Sequence, residues 1–245
     1  MRRRTLLAAA AVVTVPLLMM RAGLPREEAF AFADIQDLPG FRFLDGGSVS
    51  VPTGDPFAGL RAPGDPPPPQ PLARDELCTA LYGPEPLPPG TVPIASFSDY
   101  YCPYCRDLTV RLAARADPTL RIAWHELPLL GDASEAAARA ALAADLQGAY
   151  PAFQTRLLRA AFQPTDAYLA DVGGSLGLDV SRLLADARGE TVARRLSTSA
   201  RAAATLGIAG TPALVVGRTL VSGAISDERL DTLIALERAE GPLPC

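Results

Sequence analysis

Two cysteines stand three residues apart in Cys102-Pro103-Tyr104-Cys105, the pattern in this 245-residue chain with the most chemistry in it. On a helix that spacing puts both sulfurs on one face, within reach of a disulfide. The apolar run 92–97 comes just before the pair and helical spacing begins at Pro103, so the motif falls where a strand hands over to a helix. Proline suits the first helical position, where its missing N–H costs nothing. Cys102 would then stand at the helix tip, where free N–H groups and the helix dipole favour a thiolate. A thiolate is the attacking species in thiol–disulfide exchange, and a low pKa makes it a good leaving group. The expectation is an exposed, activated Cys102, with Cys105 as the thiol that resolves a mixed disulfide. Two other readings stay open: a permanent structural disulfide, and half of a metal site, since paired thiolates are common zinc ligands. A structural zinc site would need more ligands than one histidine and no second such pair provide.

Other residues could support that chemistry. Gly210-Thr211-Pro212 enters an apolar run late in the chain, where the Thr-Pro bond read by itself is an ordinary trans turn. Asp99 and Glu126 are carboxylates near the motif that could relay protons during exchange. The alternative is structural: Asp99 as a loop anchor, Glu126 as a satisfied strand residue. His125, the only histidine, alternates with Trp124 and reads as packing. Tyr100, Tyr101 and Tyr104 could form an aromatic platform for clients or simply pack. Cys78 and Cys245 could pair as a second, structural disulfide; otherwise Cys78 is a small buried hydrophobe and Cys245 a frayed terminal thiol.

The elements that must hold these residues follow along the chain. Residues 92–97 and 120–127 read as strands flanking a helix that starts at Pro103 and stops at Asp117-Pro118, a βαβ unit with a parallel sheet. Asp132 and Glu135 read as a capping box opening an alanine-rich helix to about 147. Further helices are predicted over 150–162, 165–176, 179–188 and 191–206, the second weakened by Gly173-Gly174. Strands at 213–216 and 219–221 flank Gly217-Arg218, a two-residue hairpin connection, and Asp227 reads as the cap of a last helix to about 237. Residues 34–90 are rich in proline and turn formers, with room for one short helix over 72–82, and read as an arm or linker with little core of its own.

The formal charge is −4 and no lysine occurs, so there is no basic stripe of the kind nucleic-acid binding needs. Arg2, Arg3 and Arg4 precede an apolar run over 6–20, short for a membrane span but suited to a secretory signal. Arg3-Arg4-Thr5-Leu6-Leu7 faintly resembles a twin-arginine signal. Ala29-Phe30-Ala31 or Ala31-Phe32-Ala33 could be the cleavage site; the alternative is an uncleaved N-terminal anchor. Removing 1–33 strips five arginines and two glutamates and leaves a charge of about −7. In an oxidising compartment four cysteines favour disulfide chemistry.

Taken together, Tyr100-Tyr101-Cys102-Pro103-Tyr104-Cys105, the segment from Trp124 to Gly131 and Gly210-Thr211-Pro212 resemble the DsbA branch of the thioredoxin superfamily, over residues 91–240. The resemblance implies an α/β thioredoxin-like fold, β-α-β then β-β-α, at 91–131 and 207–240. An all-helical insertion occupies 132–206, the Pro-rich arm 34–90, and a signal peptide or anchor 1–33. It implies that Cys102 attacks, that Cys105 resolves, and that Thr211-Pro212 forms a cis-proline loop pairing with the client backbone. It implies no cofactor or metal. The partners would be reduced or unfolded exported proteins and a membrane partner that regenerates the disulfide, in the periplasm, with the chain free or tethered to the inner membrane. An oxidant is the favoured direction. A reductase or isomerase is the alternative in the same class, and a metal- or peptide-binding module on the same fold is the alternative in another.

Overall fold

The computed structural model describes residues 30–52, 69–115, 117–159 and 161–244. The expected signal segment and its apolar run therefore lie almost wholly outside the described residues. Among the described residues the strands are β1 (Ala33–Asp34), β2 (Arg42–Asp45), β3 (Val92–Ser98), β4 (Leu120–Glu126), β5 (Ala213–Val216) and β6 (Thr219–Ser222). The helices are α1 (Arg74–Tyr82), α2 (Pro103–Ala113), α3 (Asp132–Asp145), α4 (Tyr150–Leu158), α5 (Asp166–Ser175), α6 (Val180–Ala187), α7 (Glu190–Leu206) and α8 (Asp227–Ala239). No helix among them is long and apolar enough to cross a membrane.

The strands form one sheet in the order β1-β2-β6-β5-β3-β4. β3 and β4 run parallel, as a strand–helix–strand unit requires, with Phe97 opposite His125 and Ser98 opposite Glu126. β5 lies antiparallel to β3 and pairs with β6 through the tight Gly217-Arg218 turn. Gly217 has φ +57°, and a Cβ there would fall 2.3 Å from Glu237 Oε2, so this turn needs glycine for both reasons. β3 is buried along its whole length because the sheet is covered on both faces. Ala95, Phe97, Ala213, Val215 and Leu220 share one core with Leu77 and Leu81 of α1 and with Ala202, Ala203 and Leu206 of α7. Helices α2 and α8 meet β3, and by the two-residue period they do so on the side of Ile94 and Ser96. A second core, built from alanines of α3 with Phe153, Leu157, Leu183 and Val192, holds the helical insertion together. The fold is thus mixed α/β, a thioredoxin-like sheet with a helical insertion between β4 and β5.

Three local expectations need correction. The segment read as an arm is built into the fold. β2 extends the sheet parallel to β6, while Phe41, Leu44, Leu77 and Leu81 are buried, so it contributes core that its proline content concealed. α3 has no capping box: Gly131 is its N-cap, without a side-chain cap, because Asp132 already sits in the first turn, where Glu135 pairs instead with Arg139. α8 is capped by Ser226, whose extended backbone lets its hydroxyl accept from Arg229 N, and Asp227 is one residue inside. α5 runs through Gly173-Gly174 because Leu183 occupies the space a Gly173 Cβ would take, 2.6 Å away.

Candidate active site

The handover from β3 to α2 sets the position of both sulfurs. Cys102 is the N-cap of α2, in extended conformation, with Pro103 at the first helical position. Its Sγ accepts from Cys105 N at 3.2 Å, so one of the helix's free N–H groups points at the sulfur. The first turn of α2 carries no acidic residue to oppose a negative charge there. Across the site, the Cys102 thiol donates to Thr211 O at 3.3 Å. Both cysteines are free thiols.

The two thiols are driven in opposite directions. Cys102 is lowered to about 6, chiefly because the Cys105 thiol hydrogen-bonds its sulfur, helped by the Ser50 and Thr211 side chains and the Cys105 N–H against the cost of burial. Cys105 is pushed strongly upward by burial and by the Cys102 thiolate beside it. Cys102 is only 1% exposed, which corrects the expectation of an exposed sulfur. A segment no sequence reading placed at the site is part of the reason: Ser50 bridges antiparallel to Thr211, donating to its carbonyl at 2.6 Å and accepting from its N–H at 2.8 Å. The signal for it was present in Ser48-Val49-Ser50-Val51, a two-residue alternation inside a Pro- and Gly-rich stretch.

The Thr211–Pro212 peptide is cis, and both residues are buried at the entrance to β5. Asp99, next to the motif, is an anchor: Oδ1 accepts from Tyr101 N and the Ser134 hydroxyl, and Oδ2 from Leu129 N and Leu130 N. Those bonds tie the loop before α2 to the loop after β4. Glu126 is fully buried at the end of β4, where the Tyr100 and Tyr150 hydroxyls both donate to Oε1 and Oε2 has no partner among the described residues. Burial raises its carboxyl to about 7, against the pull of the two tyrosines. His125 stacks on Phe97 and hydrogen-bonds Ser199 and the Leu81 carbonyl, the packing role expected of it.

The tyrosine cluster divides by environment. Tyr100 turns inward to Glu126 and Tyr104 is exposed, whereas Tyr101 donates to the Phe162 carbonyl and lines a groove of about 360 Å³ with Cys102, Pro103, Arg106 and Phe162. Phe162, which the sequence placed only at a helix end, thus belongs to the candidate client surface. Cys78 is disulfide-bonded, and its expected partner Cys245 lies outside the described residues. Among the described residues no cluster of three or more His, Cys, Asp or Glu could hold a metal.

Comparisons with known proteins agree with this geometry. The model of a DSBA-like thioredoxin domain matches residues 93–235. A thioredoxin-like oxidoreductase from Silicibacter pomeroyi DSS-3 is 34% identical, with a TM-score of 0.59 over 66% of this chain and 96% of that one. The oxidoreductase DsbA from Xylella fastidiosa is 29% identical, with a TM-score of 0.54 over 63% of this chain and 90% of that one. A periplasmic thioredoxin-like protein from Salmonella enterica serovar Typhimurium shares the fold at 22% identity and a TM-score of 0.55, over 69% and 99% of the two chains. No curated protein matches. With a family model covering more than half its length and a dithiol at the tip of α2, this chain belongs to the DsbA-like thioredoxin-domain family of thiol–disulfide oxidoreductases.

Proposed function

We propose that the protein oxidises thiols of exported proteins, with Cys102 as the sulfur that exchanges and Cys105 as the one that resolves. In that cycle a client thiolate attacks Cys102 of the Cys102–Cys105 disulfide, forming a mixed disulfide while Cys105 leaves and takes up a proton. A second client thiolate then attacks the client sulfur of that bond and Cys102 leaves as a thiolate. The client has lost two electrons and two thiol protons; the protein holds the electrons as a dithiol. A membrane partner would remove them. Thr211 and Pro212 would align the client backbone, and Glu126 would supply or accept the proton at Cys105. The Cys105 N–H aimed at Cys102 Sγ on the tip of α2, with no acidic residue in the first turn, is the observation that carries the reading, because a stabilised leaving thiolate favours the reduced protein and so makes its disulfide an oxidant. Its basic N-terminus and apolar run, together with the periplasmic relative, support export, as a cleaved signal or a tether.

The test is a glutathione redox titration of the full chain, with a Cys105→Ser variant whose Cys102 is first converted to its mixed disulfide with glutathione and then incubated with a reduced client protein, so that glutathione leaves as the client bonds Cys102. The expected results are a potential well above that of thioredoxin, whose range is about −270 mV, and a trapped Cys102–client disulfide. A potential at the thioredoxin value would mark a reductase. No trapped species would remove Cys102 from the reaction.

A further inference from the structure

The bridge between Ser50 and Thr211 has the geometry expected of a bound client. Thr211 offers one N–H and one carbonyl to a passing extended chain, and Ser50 takes both. The same Thr211 carbonyl accepts from the Cys102 thiol, so Ser50 is seated against the reacting sulfur. The segment is held on its other side as well, since Ser48 O accepts from Ala224 N. Gly210 makes room for it: a Cβ there would lie 2.7 Å from Ser50 O and 3.0 Å from Val51 Cγ1. The flanking Val49 and Val51 side chains are 36% and 47% exposed while Cys102 is 1% exposed, so the covering segment, not the sulfur, faces solvent.

We propose that Ser48-Val49-Ser50-Val51 is a tethered mimic of the client, which covers Cys102 until a client strand displaces it, and that Ser50 stands where the reacting client cysteine goes. The inference rests on the assignment of Cys102 as the exchanging thiol. It names the substrate form as an extended strand, paired antiparallel to Thr211, whose cysteine replaces a residue of serine size. The three backbone bonds that hold the segment are weak enough to yield to a client that restores the two to Thr211 and adds a covalent one. Because the mimic is part of the same chain, it competes at a high effective concentration, which selects against clients that pair poorly.

Three substitutions in the full chain test this. In oxidised Ser50→Cys, the introduced thiolate attacks Cys102, the Cys102–Cys105 bond breaks, and Cys105 leaves as a thiol after protonation, so no outside oxidant is needed. Peptide mapping should find the introduced cysteine bonded to Cys102; its absence would overturn the placement of Ser50. Ser50→Pro removes the N–H that binds Thr211 and should raise the rate of Cys102 alkylation by iodoacetamide, at pH values where the thiol is fully ionised, by about five-fold. Ser50→Ala keeps the backbone pair and should shift only the pH midpoint of that rate. A cross-link with no rate increase in Ser50→Pro would overturn occlusion while leaving the exchange chemistry intact. A Cys102 that fails to alkylate as a thiolate near neutrality in every variant, wild type included, would overturn the assignment of Cys102 itself.

Discussion

At the residue scale, one helix turn separates two identical side chains that must behave differently. Cys102 receives hydrogen bonds and holds its charge; Cys105 sits behind it, gives a hydrogen bond and stays protonated. For the reduced protein the folded-state pKa of Cys102 is depressed, so its stabilisation is present above the unfolded value and is lost as pH falls through about 6. The redox potential should therefore fall by about 30 mV per pH unit above that point, where one proton accompanies two electrons, and by about 59 mV per unit below it. Potentials measured against glutathione between about pH 5 and pH 8 check this; a single slope throughout would contradict it. Glu126 has the opposite sign. Its folded pKa is raised to about 7, so the stability of its protonated form is present below the unfolded value and lost as pH rises through 7. Glu126→Gln should gain on wild type by on the order of 2–3 kcal/mol between about pH 5 and pH 8, read by urea unfolding. Spacing made the Cys-Pro-Tyr-Cys pair readable, and its place between an apolar run and a helical pattern made the helix-tip chemistry readable. The burial of Cys102 was not readable, because its cover comes from a segment some fifty residues away, with only a four-residue alternation to mark it.

At the element scale, strands and helices with strong periodicity were legible, and their ends were not. Residues 92–97 and 213–216 are apolar runs that no competing period disturbs, and they became β3 and β5 nearly to the residue. Caps were misplaced by one position, since Gly131 and Ser226 are settled by backbone angle, which sequence spacing does not report. The β5–β6 turn is where a small change should matter most. Gly217→Ala puts a methyl into a left-handed residue and against Glu237, which is itself held by Arg42, Arg218 N and the Thr219 hydroxyl. A loss of about 2–3 kcal/mol in denaturant unfolding is expected; a loss below about 0.5 kcal/mol would show that the turn relaxes freely.

At the scale of the whole molecule, the arm is the part that sequence reading undervalued. Proline clusters argued for a linker, yet ahead of them β2 carries Arg42, which reaches Glu237 at 2.7 Å and Thr219 at 2.7 Å and so joins the added strand to α8. Glu237 is 1% exposed in its side chain, so Glu237→Ala would leave Arg42 and Arg218 facing a buried gap at a cost of about 3–5 kcal/mol. Limited proteolysis should then cut near residues 42–45 before it cuts the helical insertion; equal resistance would contradict the coupling. The same integration carries Ser50 to the active site, so the fold and the reactivity of Cys102 depend on one chain path. Exchange at this site depends on the ionisation of that sulfur. Ultraviolet absorbance of the reduced full chain, titrated with acid and compared with Cys102→Ser, should show one thiolate lost with a midpoint near pH 6. A midpoint near the ordinary cysteine value of about 8.5 would contradict it.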